Sequence, residues 1–142
     1  MNLWDERVRV AQACVDRFVG KPLDFKHGDC VRQARYVLHL RKHSTGLLKG
    51  VKWGSETGAY KAMRKLGFTS LDQGVDATGL LAIPFAMIRP ADLLSMPGDD
   101  AFGCTLGVYL GDGYVSGYQD GADVGVTIKL AENFIPAKVW MV

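Results

Sequence analysis

The sequence predicts an α+β domain in which N-terminal helices pack on an antiparallel sheet of four or more strands. Three observations carry this. Apolar residues recur at helical spacing as far as Leu66, the pattern turns alternating in the C-terminal half, and glycine-rich turns separate the later apolar runs. Of 142 residues, 48% are hydrophobic and 23% charged, enough apolar material to bury one core without disulfide staples. No repeat, low-complexity tract or linker interrupts the chain, so residues 1–142 are expected to form one domain.

Trp4, Val8, Ala11, Val15, Phe18 and Val19 fall at helical spacing and predict a first helix, stopped by Gly20-Lys21-Pro22. Cys14 lies on that stripe and reads as a small buried hydrophobe. Asp29 is a natural N-cap for a second helix that opens at Cys30 and turns Val31, Ala34, Val37 and Leu38 inward. A loop marked by Gly46 and Gly50 leads to a third helix, capped by Ser55. Its apolar stripe is Ala59, Ala62, Met63 and Leu66, and Gly67 ends it with Phe68 as the hydrophobic contact beyond the cap.

The stretch from Leu80 to Ile88 carries no charge across nine residues. The proline-bounded part, residues 83–90, reads as an extended or looped connection buried beneath the sheet, with an interface loop as the alternative. Strands are expected over residues 102–110, 114–117, 124–130 and 139–142. Gly111-Asp112-Gly113 and Gln119-Asp120-Gly121 supply turns between them.

A net charge of +2, with no block of lysine and arginine, argues against a nucleic-acid partner. The short run Arg41-Lys42-His43 sits at a helix end, where positive charge suits the macrodipole. Asn2, Asp5, Glu6, Arg7 and Arg9 break any apolar leader segment, and no run is long enough to span a membrane. Synthesis in a reducing cytoplasm and no membrane insertion are therefore expected. The three cysteines, Cys14, Cys30 and Cys104, form no CxxC pair and stand at no ligand-like interval from His27, His39 or His43. No metal and no cofactor is expected.

Cys30 is the residue with chemical potential. The first turn of a helix has unpaired N–H groups and the positive end of a dipole, which favour a thiolate and a developing oxyanion. Acyl transfer also needs a base within hydrogen-bond range. His39 lies nine residues further along the same helix, roughly 13 Å away along its axis, and His43 farther still. His27, three residues before the thiol, is the histidine that could approach it, although a loop imidazole bound to backbone is an equal reading. Taken residue by residue, Cys30 is either a nucleophile or a core residue.

A wider set of segments resembles a known family. These are Gly28-Asp29-Cys30, Trp53-Gly54-Ser55, Gly58-Ala59-Tyr60, Lys65-Leu66-Gly67 and Pro90-Ala91-Asp92-Leu93, the last standing where the family writes Gly-Asp before a strand. Leu106-Gly107-Val108-Tyr109-Leu110-Gly111-Asp112-Gly113 is similar to the family's Val-Gly-Ile-Tyr-Leu-Gly-Asn-Gly. Val139-Trp140-Met141-Val142 is similar to its Ala-Trp-Arg-Val ending. In this order they resemble the papain-like NlpC-type cell-wall peptidases, in a branch encoded by phages in tail genes and prophages. The resemblance implies a papain-like fold. In active members it implies a γ-D-glutamyl-diamino-acid endopeptidase acting on peptidoglycan stem peptides.

Carried onto this chain, the nucleophile is Cys30, the histidine position is Thr105, and the third, ring-orienting position falls near Gly117. Groups of such a triad act together, so losing one forfeits most of the rate. The expectation that follows is a degenerate peptidase fold serving as a structural part of a phage tail tip or baseplate in the virion. Its partners would be hub, tape-measure or distal tail proteins. The alternative is an active peptidoglycan endopeptidase that uses Cys30, with His27 as the first candidate base, to open the wall during DNA entry.

Overall fold

The computed structural model describes residues 2–43, 46–98, 102–119 and 123–142. Four α-helices come first: α1 (Leu3–Phe18), α2 (Cys30–Leu40), α3 (Glu56–Lys65) and α4 (Leu71–Asp76). Six strands follow, β1 (Leu81–Ala82), β2 (Leu93–Met96), β3 (Thr105–Gly111), β4 (Tyr114–Gly117), β5 (Val126–Lys129) and β6 (Val139–Met141). They form one sheet in the order β1-β6-β2-β3-β4-β5, and every neighbouring pair is antiparallel. The molecule is thus α+β, with helices on an antiparallel sheet.

Local chemistry explains the elements that position the site. Asn2 caps α1 by accepting from the Asp5 N–H, and Ser55 caps α3 by accepting from the Gly58 N–H. At the end of α3, Gly67 takes a positive φ of 88°, its N–H reaches the Arg64 carbonyl and the Phe68 N–H reaches that of Met63. β3 and β4 are joined by Asp112-Gly113, both with positive φ (54° and 81°), which is a tight two-residue turn of the primed type. The register slips between Tyr109 and Gly111, so β3 reaches one residue past the expected Leu110 as a bulge. Gly107 is required by packing, because a Cβ there would stand 2.4 Å from Val115 Cγ1 on the neighbouring strand.

The main core lies between α1–α4 and one face of the sheet, and includes Val10, Cys14, Phe18, Ala34, Val37, Met63, Leu93, Leu106, Val108 and Trp140. A smaller cluster of Leu94, Val115 and Val139 lies on the other face. Alternation along the strands explains the split, since Leu93 and Leu94 are neighbours that point to opposite sides.

Several expectations are corrected. The buried face of α1 is Arg7, Val10, Ala11, Cys14 and Phe18, while Trp4 and Val8 are 55% and 45% exposed. The stripe is phased differently because Arg7, a charged residue, belongs to the core. Its guanidinium pairs with Asp92 at 2.8 Å and donates to the Pro90 carbonyl. Leu66, expected on the buried stripe of α3, is exposed. The charge-free segment is only partly covered: Ile83, Phe85 and Ile88 pack on the sheet's second face, whereas Leu81, Ala82, Ala86 and Met87 are exposed. Helix α4 and strands β1 and β2 were not among the elements read from periodicity. The third strand begins at Thr105 rather than Phe102, and the fifth at Val126 rather than Val124, which makes only an isolated bridge to Pro22. Of the expected turn at Gln119-Asp120-Gly121, Asp120 and Gly121 lie outside the described residues.

Candidate functional site

The loop before α2 is folded back on itself. The Asp24 and Gly28 backbones exchange hydrogen bonds of 2.9 and 2.7 Å, and Asp24 accepts from the Lys26 N–H. Asp29 then caps α2, accepting from the Arg32 N–H at 2.8 Å through Oδ1 and from Trp53 Nε1 at 2.9 Å through Oδ2. The Arg32 guanidinium binds Asp29, the Phe25 carbonyl and the Trp53 carbonyl, and lies 4.6 Å from the centre of the Trp53 ring. Arg35 lies 4.7 Å from that ring and donates to the carbonyls of Leu47 and Leu48. These contacts fix Cys30 as the first residue of α2, half-buried, with Trp53 beside it.

Cys30 borders a cavity of about 400 Å³ together with Asp29, Trp53, Leu71, Cys104 and Tyr118. Its walls are largely apolar and aromatic, and its polar groups include the thiols of Cys30 and Cys104, the carboxylates of Asp29 and Glu56, and the Tyr118 phenol. The volume is of the size that small ligands and side chains occupy. The described residues bordering it include no histidine or lysine.

Cys104 sits immediately before β3 and is 5% exposed. Its thiol donates to Asp72 Oδ1 at 2.9 Å. Burial, reinforced by the Asp72 carboxylate, pushes this thiol up to about 12, so it is held protonated near neutrality. Tyr118 follows β4 and is 6% exposed, and its buried hydroxyl has no hydrogen-bond partner among the described residues. Burial, with Asp29 and Cys30 adding to it, raises the pKa of this phenol, so it too stays neutral. A Cβ on Gly28 would stand 3.5 Å from that hydroxyl, which keeps the approach loop close over Tyr118.

Thr105 opens β3, the strand against which α2 packs, and borders the same cavity as Cys30. It also borders a smaller adjoining cavity of about 120 Å³, shared with Gly117, Leu106 and Ile128. In the strand alternation Thr105 belongs with Gly107 and Tyr109, on the face opposite Leu106 and Val108. Cys30 and Thr105 thus border one cavity, and Thr105 and Gly117 border the second.

His27 is not brought into this group. Its side chain is 80% exposed and its Nδ1 pairs with Asp24 at 2.7 Å. His39 and His43 line a separate surface hollow at the far end of α2. Among the described residues no cluster of three or more histidine, cysteine or acidic side chains has the geometry to hold a metal ion. Periodicity missed Cys104, Asp72 and Tyr118 as site residues, because each stands outside the long regular elements. The fold brings Cys104 and Tyr118 to the cavity that Cys30 borders, and the short α4 brings Asp72 to Cys104.

Curated proteins give no match to this chain. The profile of a domain of unknown function, DUF6950, matches residues 1–133 and so covers nearly the whole chain. The chain therefore belongs to the DUF6950 family.

Proposed function

We propose that the protein is a structural component of a phage tail tip or baseplate, built on an NlpC-like fold whose catalytic centre has been dismantled. The observation that carries this reading is that Thr105 borders one cavity with Cys30 and a second with Gly117. The nucleophile position keeps its thiol at a helix N-terminus, while the positions of the base and the orienting residue carry a hydroxyl and no side chain. Among the described residues bordering the cavity, no histidine or lysine stands where acyl transfer would take the thiol's proton and return it to a leaving amine. The outward pairing of His27 with Asp24 removes the one histidine near the thiol in sequence. A structural role is further supported by apolar side chains left on the surface, among them Leu3, Trp4, Leu81, Met87 and Ile135, which suit burial against hub, tape-measure or distal tail neighbours.

The test is incubation of the purified chain with isolated peptidoglycan, reading released stem peptides by mass spectrometry. The expected result is no release above buffer, with Cys30→Ser identical to the wild type. Release that Cys30→Ser abolishes would establish the enzyme instead. A density map of an intact virion showing this chain at the tail tip would confirm its place.

A further inference from the structure

Charge is spread unevenly along this chain. Residues 30–70 hold nine of its 17 lysines and arginines but only one of its 15 acidic residues, Glu56. The fold brings part of that excess to two adjoining surface hollows. One, of about 260 Å³, lies against α3 and is bordered by Lys52, Lys61 and Lys65 together with Gly50, Gly58 and Ala62. The other, of about 430 Å³, shares Gly50, Val51 and Lys52 with it and adds Lys49, His39 and His43. Among the described residues, no carboxylate and no phenylalanine, tyrosine or tryptophan borders either hollow.

The four lysines are exposed, and among the described residues none of them makes an ion pair, whereas Arg41 is paired with Glu6 and Lys138 with Asp76. Lys61 and Lys65 stand four residues apart on α3, a spacing at which like charges repel. The helix dipole accounts for Lys65 in the last turn, but not for Lys61 or for Lys52 on the facing loop. That loop adds donors of its own. Gly50 takes a positive φ of 88° with open space where a Cβ would stand, and the N–H groups of Gly50, Val51 and Lys52 make no hydrogen bond among the described residues. Converging ammonium groups beside free backbone N–H groups are the chemistry that holds phosphoryl oxygens.

We propose that the two hollows form a binding site for an oligophosphate, a short chain of linked phosphoryl groups, held by Lys52, Lys61 and Lys65 in the smaller hollow and by Lys49 in the larger. Lys52 borders both hollows, so a chain of phosphoryl groups can run from one to the other past a single shared cation. A multivalent anion also relieves the repulsion between Lys61 and Lys65, which a single weak charge does less well. The missing aromatic platform sets the selectivity, because a nucleic-acid strand is held by stacking its bases as well as by its backbone. The site lies on a different surface from the Cys30 cavity and does not depend on the tail-tip reading. Its test contains no wall material, so failure of one leaves the other standing.

The experiment titrates the full chain with sodium tripolyphosphate by calorimetry, at low salt and without divalent cations. The expected result is saturable binding at one site, with orthophosphate at least about tenfold weaker. Lys61→Gln with Lys65→Gln is expected to weaken tripolyphosphate at least about tenfold, by removing two charge-assisted contacts. The control pair Lys21→Gln with Lys129→Gln removes the same net charge from residues that border neither hollow, and is expected to change the affinity less than about twofold. Amide shifts of the labelled wild type on adding tripolyphosphate are expected to centre on residues 49–52 and 58–65, a readout that needs no variant. No saturable binding, equal weakening by the control pair, or shifts centred elsewhere overturns the proposal. Tighter binding of a thymidine decamer, or polyglutamate binding as tight as that of tripolyphosphate, also overturns it, in favour of a nucleic-acid strand or an acidic polypeptide respectively.

Discussion

Cys14, Cys30 and Cys104 are one side chain in three environments. Cys14 is sealed in the core under α1, where Ser116, itself hydrogen-bonded to Gln33, is its polar neighbour. Burial pushes its thiol from 9.0 up to about 12, against a smaller opposing effect of Ser116. Cys104 is raised to about 12 as well, by burial and Asp72. The sign of the consequence follows from linkage. Above about pH 9 the unfolded chain loses thiol protons that the folded chain retains, so folding stability falls as pH rises toward about 12. We expect guanidinium unfolding of the reduced protein to show lower stability at about pH 10.5 than at about pH 8. Cys14→Ala should lose less between the two pH values than the wild type does. An equal loss in both proteins would show that Cys14 does not take part.

At the scale of elements, the start of α2 depends on one carboxylate. Asp29 is 4% exposed and satisfies the Arg32 N–H, the Arg32 guanidinium and Trp53 Nε1 together. Asp29→Ala would leave a cap unmade, an indole N–H unpaired and a guanidinium without its counter-charge. We expect a loss of about 2–4 kcal/mol in urea denaturation. Asp29→Asn keeps an oxygen for the cap and should fall between alanine and wild type. Alanine as stable as wild type would mean that the Arg32 contacts to Phe25 and Trp53 alone hold the helix start. Helix α4 shows the contrary case. It has six residues, its N-cap Ser70 makes no side-chain cap bond, and Gly74 lies inside it. Its residues Leu71, Gly74 and Val75 are buried, so tertiary packing rather than propensity maintains it.

Across the whole molecule, Arg7 ties the first helix to the sheet and to the last strand. It is 2% exposed, Asp92 is 0% exposed, and Asp92 also accepts from the backbone N–H groups of Arg89 and Val142. Arg7 donates to the Pro90 and Val142 carbonyl oxygens as well, and burial lowers its pKa from the usual arginine value. Removing one partner leaves a buried charge uncompensated, whereas removing both does not. Arg7→Met or Asp92→Leu alone should therefore cost about 3–5 kcal/mol, and the double variant should recover much of that loss. Thermal and chemical unfolding of the three proteins checks this. A double variant as unstable as the sum of the singles would refute the pairing account.

The local code was legible where short-range chemistry decides the outcome. Asp29 before Cys30 specified a capped helix opening at the thiol. Ser55 and Gly67 bounded α3, and Gly111-Asp112-Gly113 specified the hairpin, because each depends on hydrogen bonds or φ values set within a few residues. The helices-on-antiparallel-sheet class followed from the change of apolar period. What required the tertiary structure was every feature whose partner is distant in sequence. The face of α1 could not be phased without Asp92, 85 residues away, which makes Arg7 a core residue. The aim of His27 was decided by Asp24 rather than by its nearness to Cys30. The sulfur that shares Cys30's cavity, Cys104 at the start of β3, and its Asp72 partner on α4 emerge only from the packing of distant elements. Sequence spacing fixes which residues neighbour one another along an element, but burial and charge pairing between elements decide which of them meet.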